Sequence, residues 1–172
     1  MSATVPEHGV DRSVDLLVTL LIRYPELSAV HVSPSGHTLE LSFLLSGAAK
    51  PHEIEACAAK IRSSLDALSR LVQQNPGHER RVVVRRQSYD TLTRLIVSRD
   101  LSDLVPEEFA IIVAVVKESL GKLLIVDDAH EPPTDLLDDA EAIADTLNAL
   151  RTQQPGRELI GIRDGGRVLV FK

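Results

Sequence analysis

Apolar and polar positions along this 172-residue chain fall into alternating helical and strand-like periods. Val14, Leu17 and Leu21 form one stripe, widened by Leu16 and Leu20, so a helix covered on more than one side is predicted up to Tyr24. Pro25 ends it, because the residue before a proline is pushed out of α geometry. Residues 28–45 then alternate as a hairpin, with Val30 and Val32 on one arm, Ser-Pro-Ser-Gly at the turn, and Leu39, Leu41 and Phe43 on the other. A long helix from about His52 to Gln73 follows, with Ile54, Cys57, Ala58, Ile61, Leu65, Leu68 and Val72 on one face, stopped by Asn75-Pro76-Gly77.

Residues 80–86 (RRVVVRR) and 91–99 (TLTRLIVSR) read as two further strands, although Tyr89, Leu92, Leu95 and Ile96 also suit a helix. Pro106 opens the next helix, with Glu107 and Glu108 at its positive dipole end and Gly121 as its C-cap. Its run FAIIVAVV needs cover on both sides. Leu123 to Val126 reads as a central strand, being apolar throughout. A last helix presents Leu136, Ala140, Ile143, Ala144, Leu147 and Leu150, and a final hairpin turns on Asp164-Gly165-Gly166.

The predicted order is therefore αββ-αββ-αβ-αββ, an α+β fold with an antiparallel-rich sheet of seven strands and its helices on one face. Two stretches are expected, an N-terminal αββαββ lobe at 11–101 and a C-terminal αβαββ lobe at 104–172, packed as one unit. The first helix and hairpin recur at the end of the chain. Val30, Val32, Gly36, Leu39 and Leu41 stand at the same offsets from Pro25 as Ile160, Ile162, Gly166, Leu169 and Phe171 from Pro155. The segments 13–43 and 135–171 are accordingly expected to superpose. The opening α-β-β-α-β-β order resembles the start of roadblock-like and type II KH domains in topology; the GxxG loop of KH domains is absent, and no residue role carries over.

Composition narrows the function classes. Three Phe, two Tyr and no Trp leave little for stacking on single-stranded nucleic acid. Cys57, the single cysteine, excludes an internal disulfide and a multi-cysteine zinc site, and a cytoplasmic location is expected. The opening residues lack the pattern of a signal peptide, and the longest apolar runs, about eight residues, are far short of the ~20 that span a membrane. The net charge of −6 is uneven: residues 78–99 hold six Arg against Glu79 and Asp90, while 127–141 hold seven carboxylates and no Lys or Arg.

Candidate chemistry is sparse. Cys57 lies in the apolar stripe of its helix and reads as a small hydrophobe rather than a nucleophile. The histidines at 8, 31, 37, 52, 78 and 130 form no ligand pair, and His31 is expected on the polar face of its hairpin near Thr38 and Glu40. The segment DDAHEPPTDLLDD offers Asp127, Asp128, His130 and Asp135, but it lacks the EF-hand spacing and glycine, and helix capping accounts for most of it. No nucleotide-binding or nucleophile-elbow motif occurs. No metal, cofactor or catalytic residue is therefore assigned.

The sharpest candidate is the arginine-rich strand 80–86. Val82 and Val84 would face the core with Arg80 and Arg86 at the ends of that face, leaving Arg81 and Arg85 opposite; Arg94 lies on the next strand. Three uses are open: protection of a sheet edge, contact with the acidic segment or an acidic partner, and nucleic-acid binding. The leading expectation is a non-enzymatic cytoplasmic protein-interaction or regulatory module that forms a homodimer, with one of its two strongly apolar helices, Val14–Tyr24 or Pro106–Leu120, at a subunit or lobe interface. The alternative is a nucleic-acid or ribosome-associated binder using strand 80–86, against which the acidic pI of about 5.5 weighs.

Overall fold

A computed structural model describes residues 8–33, 37–72, 81–127, 139–152 and 158–171. In chain order the elements are α1 (His8–Arg23), β1 (Ala29–Val32), β2 (Thr38–Ser46), α2 (Pro51–Val72), β3 (Val82–Ser88), β4 (Leu92–Asp100), α3 (Glu107–Leu120), α4 (Asp139–Thr152), β5 (Leu159–Asp164) and β6 (Arg167–Phe171). The fold is mixed α+β. Six strands form one antiparallel sheet in the order β3-β4-β2-β1-β5-β6. The stretches 11–101 and 104–172 meet inside that sheet where β1 pairs with β5, and again where α1 lies against α4.

Alternation along each strand sends one set of side chains toward the helices. Val84, Val97, Leu41, Val30, Gly161 and Val170 form one such row across all six strands. Leu39, Phe43, Leu45 and Leu95 share the face, and all are buried in one core with the apolar stripes of the four helices. Gly161 marks where α1 touches the sheet: a Cβ built there would stand 3.3 Å from the Cβ of Leu17 and 3.0 Å from Leu21 Cδ1. The C-terminal end of α1 is held by Arg163 on the same strand, whose guanidinium donates to the Tyr24 and Leu27 carbonyls at 3.3 and 3.4 Å. Arg151 of α4 similarly donates to Leu101 and Leu104 carbonyls in the link after β4.

Several expectations change. Of residues 91–99 all but Thr91 are strand, within β4, and β3 starts at Val82, two residues beyond Arg80, which lies outside the described residues with Pro34–Gly36. Leu123–Val126 is not a strand. Its first amides close α3 by donating to the Leu120 carbonyl, and the segment makes a single bridge, Leu45 with Leu124, beside the end of β2. Ile125 and Val126 consequently remain exposed. Gly121 ends α3 in right-handed rather than left-handed geometry, with φ −56° and ψ −31°. The Asp164-Gly165-Gly166 turn forms, with both glycines at positive φ (55° and 78°), the geometry a two-residue hairpin loop requires.

The two apolar helices are covered within the chain. Leu16, Leu17, Leu20 and Leu21 of α1 are wholly buried under α4 and strands β1, β5 and β6. Phe109, Ile112, Val113, Val115 and Val116 of α3 are buried as well, with α2 alongside. Among the described side chains neither helix keeps a bare apolar side for a subunit interface; α1 lies instead where the two stretches of the chain meet, against α4.

The repeat also takes an unexpected form. Both ends of the chain hold a helix followed by an antiparallel hairpin. Yet positions that match in sequence face opposite ways. Val30, Val32, Leu39 and Leu41 point at the helices, whereas Ile160, Ile162, Leu169 and Phe171 point away from them. A one-residue shift in register turns a whole strand over, and it separates the two hairpins here.

Candidate interaction surface

With all four helices on one side, no helix covers the second face of the sheet among the described residues, although Ser42, Ile96, Ser98 and Ala29 in its middle are buried. Two adjacent rows run across it. The first is Val83, Ser98, Glu40, His31, Ile160 and Phe171; the second is Arg85, Ile96, Ser42, Ala29, Ile162 and Leu169. Both end on apolar side chains at β5 and β6, and the charged and polar residues lie on the other four strands, where Val83, Ile96 and Ala29 are apolar.

The polar half is bonded internally. Glu40 on β2 accepts from Arg85 Nη2 at 2.5 Å and from Ser98 Oγ at 3.3 Å through Oε1, while its Oε2 lies 3.1 Å from His31 Nδ1. The other nitrogen of that ring, Nε2, lies 2.8 Å from Glu158 Oε1. His31 thus sits half-buried between two carboxylates, near Glu40 as expected but tied across the sheet rather than solvated. Arg94 donates through Nε and Nη2 to Ser42 Oγ at 3.2 and 3.0 Å.

The predicted arginine site is divided by this arrangement. Arg85 and Arg94 share the open face. Arg86 is on the opposite side, donating to the Ala49 carbonyl at 3.0 Å where the chain enters α2. Arg81 precedes β3 and is exposed, its carbonyl accepting from Arg99 Nη1 at 2.6 Å. The chain therefore does not present its arginines as one unpaired basic strip, and Arg85 is already neutralised by Glu40.

The apolar half of the face is less satisfied. Ile160 pairs with Phe171 and Ile162 with Leu169, and the two β6 side chains are 53 % and 38 % exposed. The helix-facing positions of this hairpin, Leu159, Val168 and Val170, are apolar too. It is hydrophobic on both sides, the pattern of a strand pair buried on both faces, but on the outer side Ile160 and Ile162 are only half-buried and Leu169 and Phe171 are exposed. Exposed Ile125 continues the strip at the end of β2, beside Leu44.

Sequence reasoning missed a second constellation on the helix side. Arg99, 2 % exposed, donates through Nε to Glu108 Oε1 at 2.7 Å and through Nη2 to Asp103 Oδ1 at 3.0 Å. Glu108, wholly buried, also accepts the Val105 N–H at 2.7 Å. Glu108 thus locks α3 onto β4 rather than merely complementing the helix dipole. Its signal was a charge in the core-facing parity of β4, after Thr93, Leu95 and Val97.

Among the described residues the other candidates supply no site. Cys57 is buried in the core, and burial pushes its thiol up from the ordinary value, which keeps it neutral and unreactive. A disulfide-exchange reagent such as DTNB is expected to leave Cys57 unmodified in the native chain and to label it once denaturant unfolds the core; rapid labelling before unfolding would contradict that burial. His37 and His52 are exposed, while His78 and His130 lie outside the described residues. Of the acidic segment 127–141, residues 128–138 also lie outside them, and Asp127 accepts the Gly166 amide at 3.0 Å. Among the described residues no three His, Cys, Asp or Glu side chains gather as a metal ion needs, and no helix is long and apolar enough to cross a membrane. No family model, curated protein or solved structure matches the chain.

Proposed function

We propose that this protein is a non-enzymatic interaction or regulatory module, working as a homodimer in the cytoplasm, whose working surface is the open face of its sheet. One observation carries the reading: the C-terminal hairpin is apolar on both sides, and on its outer side Leu169 and Phe171 are exposed beside half-buried Ile160 and Ile162, next to a charged row. Exposed apolar side chains that adjoin one another mark association surfaces, because covering them removes them from water. The neighbouring Arg85, Glu40, His31 and Glu158 supply a polar rim with fixed geometry. A photoreactive amino acid at Ile162, introduced in cells that make the protein, is expected to yield discrete protein adducts. The same group at Asp66, exposed on α2, is expected to yield few. Equal labelling at both positions would defeat this reading.

For the nucleic-acid alternative, Arg85 and Arg94 lying on one open face is the favourable feature; the Glu40 contact and the net charge of −6 stand against it. Retention on RNA or DNA that falls steeply with salt, and is lost in the Arg85→Ala, Arg94→Ala double variant, would favour that reading instead.

A further inference from the structure

The two edges of the sheet differ. β3 carries Arg85 and Arg86 and follows Arg81, and charges of this kind block strand addition. β6, reading Arg-Val-Leu-Val-Phe, has its single charge at one end, and no described residue pairs with its outer side. We infer that β6 is the docking edge of this protein and that its occupant is the β6 strand of a second copy, joined antiparallel about a twofold axis at Leu169. The inference rests on the proposed interaction surface in taking Leu169 and Phe171 as contact residues.

Backbone direction supports the pairing. Arg163 N–H donates to the Ser28 carbonyl at 3.0 Å, so the odd residues of β5 turn their peptide groups toward β1. Ile160, Ile162 and Asp164 then turn theirs toward Phe171, Leu169 and Arg167, which leaves the N–H and C=O groups of Val168 and Val170 directed outward from β6. A twofold at Leu169 sets Val168 against the partner copy's Val170 and the reverse, and all four groups of each chain find a partner.

Side chains agree with that register. On the open side the two Leu169 residues meet at the axis, and each Arg167 guanidinium falls against the Phe171 ring of the second copy, a favourable cation–aromatic contact. The two Arg167 residues are then four strand positions apart, about 14 Å at ~3.4 Å per residue, beyond the roughly 8 Å screening length at physiological salt. A shift of the axis by one residue either way keeps the faces matched but shortens the overlap and separates Phe171 from Arg167. The register is thus self-complementary in hydrogen bonds, apolar contact and charge, which singles out a second copy over an unrelated strand. The two open faces become one continuous surface with the apolar strips adjacent at its centre.

Sedimentation equilibrium of the purified chain is expected to show a reversible monomer–dimer equilibrium. Leu169→Lys sets two ammonium groups against each other at the axis and is expected to weaken association at least tenfold; Val83→Lys, the same change near the defended edge, is expected to leave it unaltered. Should Leu169→Lys not fold, Leu169→Cys reads the same geometry. Opposed residues at a non-hydrogen-bonded antiparallel pair have Cα atoms about 4.5 Å apart, within disulfide reach, so diamide should link Leu169→Cys chains into covalent dimers and leave Val83→Cys chains monomeric. A monomer at every concentration, a dimer equally tolerant of both lysines, or no cross-link from Leu169→Cys overturns the inference. So does a monomer that takes up an extended apolar peptide along β6. A purified chain that fails these tests while the cells still give adducts at Ile162 removes the β6 interface and not the open-face reading.

Discussion

Glu108→Ala is expected to cost about 3–5 kcal/mol of folding stability, read as a lower urea midpoint at unchanged slope. Removing the carboxylate leaves the Arg99 guanidinium, 2 % exposed, with the Asp103 carboxylate and the Arg81 carbonyl as its remaining described partners. It also leaves the Val105 N–H without its acceptor at the start of α3. Water cannot replace these bonds, because Leu39, the neighbour of Arg99 on β2, and Phe109, the neighbour of Glu108 on α3, are buried in the same core. The double variant Arg99→Leu, Glu108→Leu should lose clearly less than the two single variants together, since it removes both charges and the cost of leaving either unpaired. A loss below about 1 kcal/mol for Glu108→Ala, the range of an exposed pair, would show that this contact is not buried in solution.

The second large effect is expected at Gly161. Replacement by leucine should destabilise the chain by about 1–3 kcal/mol through overpacking, and Gly161→Ala by less. The tip of Leu21, 3.0 Å from a built Cβ, can turn aside, but the Leu17 Cβ at 3.3 Å moves only with its helix. Further carbons would drive α1 off β5 and strain the Arg163 contacts that hold its C-terminal end. Thermal unfolding should show a lowered midpoint for the leucine variant. An unchanged midpoint would mean that α1 does not rest on this strand.

Much of the fold was legible in sequence because local periodicity and turn chemistry act over a few residues. The helical stripe of Ile54, Cys57, Ile61 and Leu65 is buried as its spacing predicts, and Asp164-Gly165-Gly166 forms the hairpin turn its φ requirement selects. Alternation likewise placed Val82 and Val84 on one side of β3 and Arg85 on the other. The candidate site was only partly legible. Arg85 and Arg94 were named for their type and strand position, but whether a guanidinium meets a ligand or its own chain depends on strands remote in sequence, as with Glu40.

What the sequence by itself determined was the set of helices and hairpins and the α+β class, each encoded in short-range spacing. Tertiary structure decided the rest where that spacing is silent. Leu159-Ile160 and Val168-Leu169-Val170-Phe171 are apolar at consecutive positions, so alternation cannot say which side is inward; the glycine at 161, by admitting α1, turned Leu159 and Val168 in and left Phe171 out. Leu123–Val126 is apolar enough for a central strand, but the turn closing α3 uses its first amides and leaves only a bridge to β2. Glu108 reads as a helix-dipole partner, and Arg99 as one of six arginines, until β4 and α3 are brought together, because only a partner placed by the fold allows two charges to be buried.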